Sequence, residues 1–269
     1  MSNLIAIDDL HDPRIDVYRD IRERDLVGRA GLFVAEGKVV VEKLVDSALH
    51  RPLSLLLAAK RVDALQAVIG RLGDDVPVYV ASQDVIDAIA GFPLHRGILA
   101  IGRRTAAPPP DALLAACAAR ATVLVLFGIA NHDNMGGIFR NAAAFGVEAV
   151  LLDADCCDPL YRKAIRVSVG ATLLVPFAQI ARGDKPLDLL IRHAFRPVAL
   201  SPAGASLLTD WCPGPRNAVL LGAEGPGLPI DLIAQTQSLR IAMTGGFDSL
   251  NVSTTSGIVL HHICAQAAA

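Results

Sequence analysis

Apolar residues along this chain come mostly in short unbroken runs separated by stretches with helical spacing, the pattern of buried parallel strands covered by helices. Toward the N-terminus the runs lie at 31–35, 53–58, 76–81 and 97–101, with helical periodicity at 38–49, 62–72 and 83–90, and they predict a small α/β domain. Farther on, runs at 122–127, 147–152, 172–177, 197–200, 218–221 and 239–242 alternate with helical stretches, and a last helix is predicted from Ser249 or Leu250 to about Ala265. Such alternation implies a parallel sheet with helices on both faces. Between the two halves lies Ala106-Ala107-Pro108-Pro109-Pro110. Three successive prolines donate no amide hydrogens and favour extended chain, so the sequence divides into a domain over 1–105, a linker over 106–111 and a second domain over 112–269.

Composition narrows the partners. The chain has 269 residues, 52% of them hydrophobic and only 4% aromatic, so Ala, Val, Leu and Ile must fill its cores. The most apolar stretch near the middle, 121–130, is about half the ~20 residues a membrane-crossing helix needs. Asp8, Asp9 and Asp12 stand where a secretory signal would be basic and then apolar. No membrane partner is expected, and the expected location is cytoplasmic. Cys117, Cys156, Cys157, Cys212 and Cys264 are odd in number without CxxC spacing, which predicts reduced, mostly buried thiols and no metal site. A net charge of −2 excludes binding of nucleic acid by bulk electrostatics. An RNA partner would need a local patch; Arg162, Lys163 and Arg166 are the best candidates, then Arg103 and Arg104, although either group also reads as a solvated face.

Three segments carry candidate chemistry, each just after a predicted strand. The first is Asn131-His132-Asp133-Asn134-Met135-Gly136-Gly137-Ile138-Phe139-Arg140, ending in Phe145-Gly146. Asn134 can cap the helix and Gly146 can close it, which leaves Asn131 and Arg140 unexplained beside the loop where such sheets bind ligands. The second is Leu221-Gly222-Ala223-Glu224-Gly225-Pro226-Gly227, whose glycines allow close backbone approach to a ligand but equally suit a tight turn, and which matches neither a dinucleotide fingerprint nor a phosphate loop. The third is Ile241-Ala242-Met243-Thr244-Gly245-Gly246-Phe247-Asp248-Ser249-Leu250-Asn251-Val252-Ser253, where Ser249 is a reasonable N-cap and Asn251 has no simple structural excuse.

In this order NxxNxGxxxR, GxEGxG and SLNVS resemble the motifs of the SpoU (TrmH) family of RNA 2′-O-ribose methyltransferases, in the SPOUT superfamily. The segment from Asp158 to Ala171 also looks like the family's linking segment. The N-terminal half is similar, more weakly, to a ribosomal-protein-like substrate-binding domain through Phe33-Val34-Ala35-Glu36-Gly37 and His95-Arg96-Gly97-Ile98. The resemblance implies a C-terminal parallel sheet threaded into a trefoil knot, an exception to the rule that chains are unknotted. It implies S-adenosylmethionine as cofactor, held mainly by backbone around Gly222, Ile241 and Leu250, with Leu221, Gly225 and Met243 alongside. It places Asn131, Arg140, Glu224, Ser249 and Asn251 around the reacting centre. It further implies an RNA partner, ribosomal RNA favoured over tRNA because of the additional domain, and a homodimer to which Ile258, Val259 and Ile263 of the last helix contribute. His132-Asp133 and Gly137 stand where relatives often have Pro-Gly and Ala.

Methylating a ribose hydroxyl requires that oxygen to be aligned with a methyl donor and relieved of its proton. A guanidinium has a pKa above ~12 and is effectively never deprotonated, so Arg140 is read as a phosphate clamp or alkoxide stabiliser, with Glu224 or Asn251 orienting neighbours. Alternatives are a base-modifying SPOUT methyltransferase, a noncatalytic RNA-binding protein of the same fold, or a nucleotide-dependent oxidoreductase, the last weakened by the missing fingerprint.

Overall fold

The computed structural model describes residues 4–19, 31–91, 94, 97–244 and 249–268. The chain forms two compact units, one of Met1–Ala106 with Leu160–Leu174, the other of Ala107–Pro159 with Val175–Ala269.

The first unit is built on strands β1 (Leu4–Ala6), β2 (Leu32–Glu36), β3 (His50–Ala58), β4 (Val78–Ala81) and β5 (Ile98–Arg104) in the order β1-β4-β3-β5-β2. β1, β4 and β3 run parallel, whereas β5 is antiparallel to both β3 and β2. Helices α1 (Lys38–Val45), α2 (Gln66–Ile69) and α3 (Gln83–Ala90) accompany them. α3 matches its predicted bounds because both ends are signalled locally: the Ser82 side chain accepts from the Val85 amide, and Gly91 closes the helix at φ 75°. α1 stops short of the predicted 49 because the Ser47 hydroxyl captures the amides of Leu49 and His50. The predicted helix 62–72 is broken into a 3-10 turn and the single α-turn of α2, neither with a side-chain cap. Ile15, Tyr18, Leu56, Ile86 and Leu99 anchor the core of this unit.

The second unit runs α4 (Pro110–Ala115), β6 (Ala121–Phe127), α5 (His132–Ala144) and β7 (Ala149–Leu152); after α6 (Arg162–Val167), which belongs to the first unit, come β8 (Phe177–Gln179), α7 (Pro186–Arg192), β9 (Arg196–Leu200), β10 (Ser206–Leu207), β11 (Arg216–Gly222), α8 (Ile230–Ala234), β12 (Gln237–Arg240) and α9 (Val252–Ala268). The seven strands form one sheet in the order β10-β12-β9-β11-β6-β7-β8, with every neighbouring pair parallel. This is the predicted parallel α/β domain. Pro110 and Asp111, assigned to the linker, instead open α4, since a proline suits a helix's first turn, where no amide bond is required. The Arg216 guanidinium donates to the carbonyls of Leu114, Cys117 and Ala118 at that helix's C-terminus and lies 4.2 Å from the centre of the Phe195 ring.

The predicted strand 172–177 is displaced: 171–173 form a 3-10 turn after Gly170 at φ 78°, and pairing begins only at Phe177 because Pro176 has no amide to give the ladder. The turn and α6 pack within the first unit instead. Ser47 donates to the Leu173 carbonyl at 2.7 Å, Lys43 to the Val169 carbonyl at 2.6 Å, and Arg162 pairs with Glu36. That pair is only 16% and 10% exposed, which removes Arg162 from the candidate RNA patch; Lys163, Arg166 and Arg103 remain exposed.

Among the described residues no helix is long and apolar enough to cross a membrane, and no three His, Cys, Asp or Glu side chains are grouped as metal ligands. The cysteines are free but not mostly buried: Cys117, Cys156 and Cys157 are half-buried and Cys212 and Cys264 exposed. Desolvation holds the thiols of Cys117, Cys156 and Cys157 above the usual range, that of Cys157 at about 11.

Candidate active site

The first motif begins where β6 ends. Gly128 turns the chain at φ 65°, and its amide donates to the Asp153 carboxylate at 3.0 Å, pinning the loop. Asn131 then caps α5, its Oδ1 accepting from the amides of Asp133 at 2.7 Å and Asn134 at 3.4 Å. The predicted assignment is thereby reversed: Asn131 is the cap, and Asn134, one turn in, is buried and available for another task. At the other end Gly146 sits at φ 66° as expected, with the Val147 amide reaching back to the Ala142 carbonyl at 2.9 Å.

The second motif leaves β11 at Gly222. A Cβ at this position would be driven into the peptide joining Gly227 and Leu228, so the loop can fold back on itself only over a glycine. Gly225 and Gly227 take φ of 88° and 69°, and the Gly227 amide donates to the Ala223 carbonyl at 3.0 Å. Glu224 is thereby presented at the tip of a closed turn.

The third motif delivers Asn251. Residues 245–248 lie outside the described residues. α9 starts at Val252, and Asn251 rather than Ser249 caps it: its Oδ1 accepts from the amides of Ser253 at 2.9 Å and Thr254 at 3.2 Å. Its Nδ2 donates at 2.8 Å both to Asn134 Oδ1 and to Glu224 Oε1. Four hydrogen bonds commit both hydrogens and the oxygen of this amide. One residue therefore ties all three motifs together.

Around this junction lies a cavity of about 410 Å³, within the size range of small-molecule sites. It opens beyond the C-terminal ends of β9, β11 and β12, where open parallel sheets bind ligands. Nine residues singled out from the sequence line it: Leu221, Gly222, Glu224, Gly225, Ile241, Met243, Ser249, Leu250 and Asn251. Asn131 and Arg140 do not. Asn131 reaches the site only by capping α5, and Arg140 lies exposed in the third turn of α5. Leu200, Ser201, Leu239 and Thr255 also line the cavity and were missed, because the strand ends that contribute the first three carry no motif. Asn134, read as a cap, could have been found from its place in NxxNxG.

Apolar side chains from three strand ends line the cavity, and Glu224 is the sole charged lining residue among those described. Such a lining suits a ligand with a flat apolar part and a positive centre; S-adenosylmethionine, with its adenine and its sulfonium and ammonium groups, is of that kind.

A family model described as the SpoU rRNA Methylase family matches residues 121–261. An uncharacterized tRNA/rRNA methyltransferase of Mycobacterium tuberculosis is 40% identical, covering 94% of this chain and 89% of its own. The 23S rRNA (guanosine-2′-O-)-methyltransferase RlmB of Acinetobacter baylyi is 30% identical over 84% of this chain and 94% of its own. Among solved structures, the AdoMet-bound rRNA methyltransferase of Sinorhizobium meliloti superposes with a TM-score of 0.79 at 22% identity, covering 97% of both chains, and shares the fold.

Proposed function

This chain belongs to the SpoU rRNA methylase family, and on that premise we propose that it transfers a methyl group from S-adenosylmethionine to a ribose 2′-hydroxyl of RNA, with ribosomal RNA the favoured substrate. The observation that carries this reading is the Asn134–Asn251–Glu224 junction at the cavity wall, where the three motif segments meet through hydrogen bonds of 2.8 Å. Ribose is favoured over a base because these motifs together resemble those of ribose methyltransferases and because the RlmB relative is named for 2′-O methylation.

When bound, the cofactor supplies a methyl group made electrophilic by its sulfonium. The protein's own part is positional and electrostatic. Leu221, Gly222 and Gly225, with Ile241, Met243 and Leu250, would hold the cofactor, and Gly222 keeps the loop folded so that those groups converge. Asn251 cannot accept the ribose proton, because its carbonyl oxygen already takes two backbone amide hydrogens. It instead holds Glu224 in place, so that a cationic cofactor in the cavity would meet a carboxylate. Arg140, exposed on α5, clamps an RNA phosphate and so delivers the ribose. Ser249, at the cavity mouth, is a further contact for the nucleotide.

The remaining features of this reading are a trefoil knot in the second unit, capture of substrate by the first, a homodimer, and work in the cytoplasm where the RNA resides. The reading is tested by mapping 2′-O-methyl positions in total RNA from a strain lacking the protein. One ribosomal RNA site is expected to lose its modification; loss of a base methyl group instead would establish the base-modifying alternative.

A further inference from the structure

α5 and α9 each begin at a motif, and what fixes one against the other lies a turn or two away from the cavity. On α5, Asn134, Gly137 and Asn141 follow the spacing i, i+3, i+7 and so share one face. That face is small and polar, where an interior helix contact is ordinarily apolar. The reason lies on α9. Asn141 Nδ2 donates to the Ser253 carbonyl at 2.8 Å and to Ser256 Oγ at 2.9 Å, and the Ser256 hydroxyl in turn donates to the Ser253 carbonyl at 2.7 Å. Ser256 is completely buried. The helices approach so closely that a Cβ on Gly137 would collide with the Ser253 side chain, while one on Gly257 would stand 3.2 Å from Asn141 Nδ2. This also explains glycine at 137.

We propose that Asn141 is a positioning residue for methyl transfer: through Ser253 and Ser256 it fixes the register of α9 on α5 and thereby sets where Asn251 holds Glu224. The inference rests on the proposal that the cavity is a methyl-transfer site. Ser253 is two residues from Asn251, and its own amide donates to Asn251 Oδ1. Thr255, between the two serines, lines the cavity. A slip of α9 along α5 would therefore move the cavity rim and part Asn251 from Asn134 together. A polar seam defines that register more sharply than an apolar one, because a slip would take both hydrogens of the Asn141 amide from their acceptors and leave the buried Ser256 oxygen without a donor.

The test uses the full-length protein with 15N-labelled asparagine, comparing wild type with Asn141→Asp, which keeps the shape but turns an acceptor toward the Ser253 carbonyl. The expected result is a fall in kcat of about ten-fold or more at saturating S-adenosylmethionine and RNA, as sub-ångström misplacement produces. The KM for RNA is expected to stay within about two-fold, since Asn141 bonds to α9 and the exposed Arg140 side chain is unaltered, and the side-chain amide resonance of Asn251 is expected to shift and lose protection from exchange. An unchanged Asn251 resonance, or a kcat loss matched by an equal rise in KM, overturns the proposal. Should Asn141→Asp fail to fold, Ser256→Ala removes one partner and is expected to lower kcat several-fold with the same split; unchanged kcat there overturns it equally. If wild type transfers no methyl to RNA, the functional reading falls, while the Asn251 resonance still decides the seam.

Discussion

Arg140 and Asn251 stand differently toward the cavity, and their substitutions should separate delivery of RNA from assembly of the site. Arg140 is exposed on α5 and does not line the cavity, so Arg140→Ala should leave thermal stability and S-adenosylmethionine affinity nearly unchanged while lowering single-turnover methyl transfer by about two orders of magnitude or more. Arg140→Lys should retain part of the activity if charge suffices, and none if the planar fork is required. Near-normal turnover in Arg140→Ala would remove it from the mechanism. Gly222→Val acts in another way. The added side chain strikes the peptide joining Gly227 and Leu228, so it should unfold the glycine turn and abolish cofactor binding measured by calorimetry; normal affinity would show that the turn is not part of the cofactor site. The polar positions were legible in the sequence, but the division of labour among three asparagines was not. Asn131 and Asn251 cap helices, and Asn134 bonds across to Asn251, because a cap is assigned by where a helix starts, and in both segments the start differs from the one periodicity suggests.

Among the elements, the runs between 122 and 152 and between 197 and 221 became strands close to their predicted bounds, since fully buried parallel strands read as continuous apolar runs. The run at 172–177 is comparably apolar apart from Pro176. It fails because Gly170 precedes it, Pro176 interrupts it and its first residues pack within the other unit, a non-local fact that no window reveals. The two-residue β10 and the three-residue β1 were invisible for want of length. α9 carries a similar lesson about faces. Of the three residues expected at a dimer interface, Val259 and Ile263 are buried, with exposures of 0% and 8%, whereas Ile258 is 38% exposed. If the protein dimerises through this helix, Ile258→Asp should shift it toward monomer in sedimentation without lowering its melting temperature, while Val259→Asp should unfold it. A monomeric wild type would discard the dimer.

The whole molecule divides at Ala106, close to the prolines, yet Leu160–Leu174 belongs with the first unit. A truncated chain beginning at Ala107 would therefore strip α6 and the 3-10 turn of the Glu36, Lys43 and Ser47 contacts that hold them, and expose Ile165 and Leu173. Such a truncation should melt at lower temperature than the full chain and still bind S-adenosylmethionine, because every cavity-lining residue lies in the second unit. Loss of cofactor binding in a folded truncation would move part of that site into the first unit. At this scale the sequence revealed the proline boundary and the α/β class, but a returning segment depends on contacts far apart in the chain that periodicity does not encode. The most direct test is transfer of a radiolabelled methyl group from S-adenosylmethionine to protein-free ribosomal RNA and to ribosomal subunits by the full-length protein, followed by alkaline hydrolysis, which spares the linkage beside a 2′-O-methyl ribose. Label recovered in alkali-stable dinucleotides is the expected result; label confined to base-modified mononucleotides, or no cofactor-dependent label in any RNA, would contradict ribose methylation.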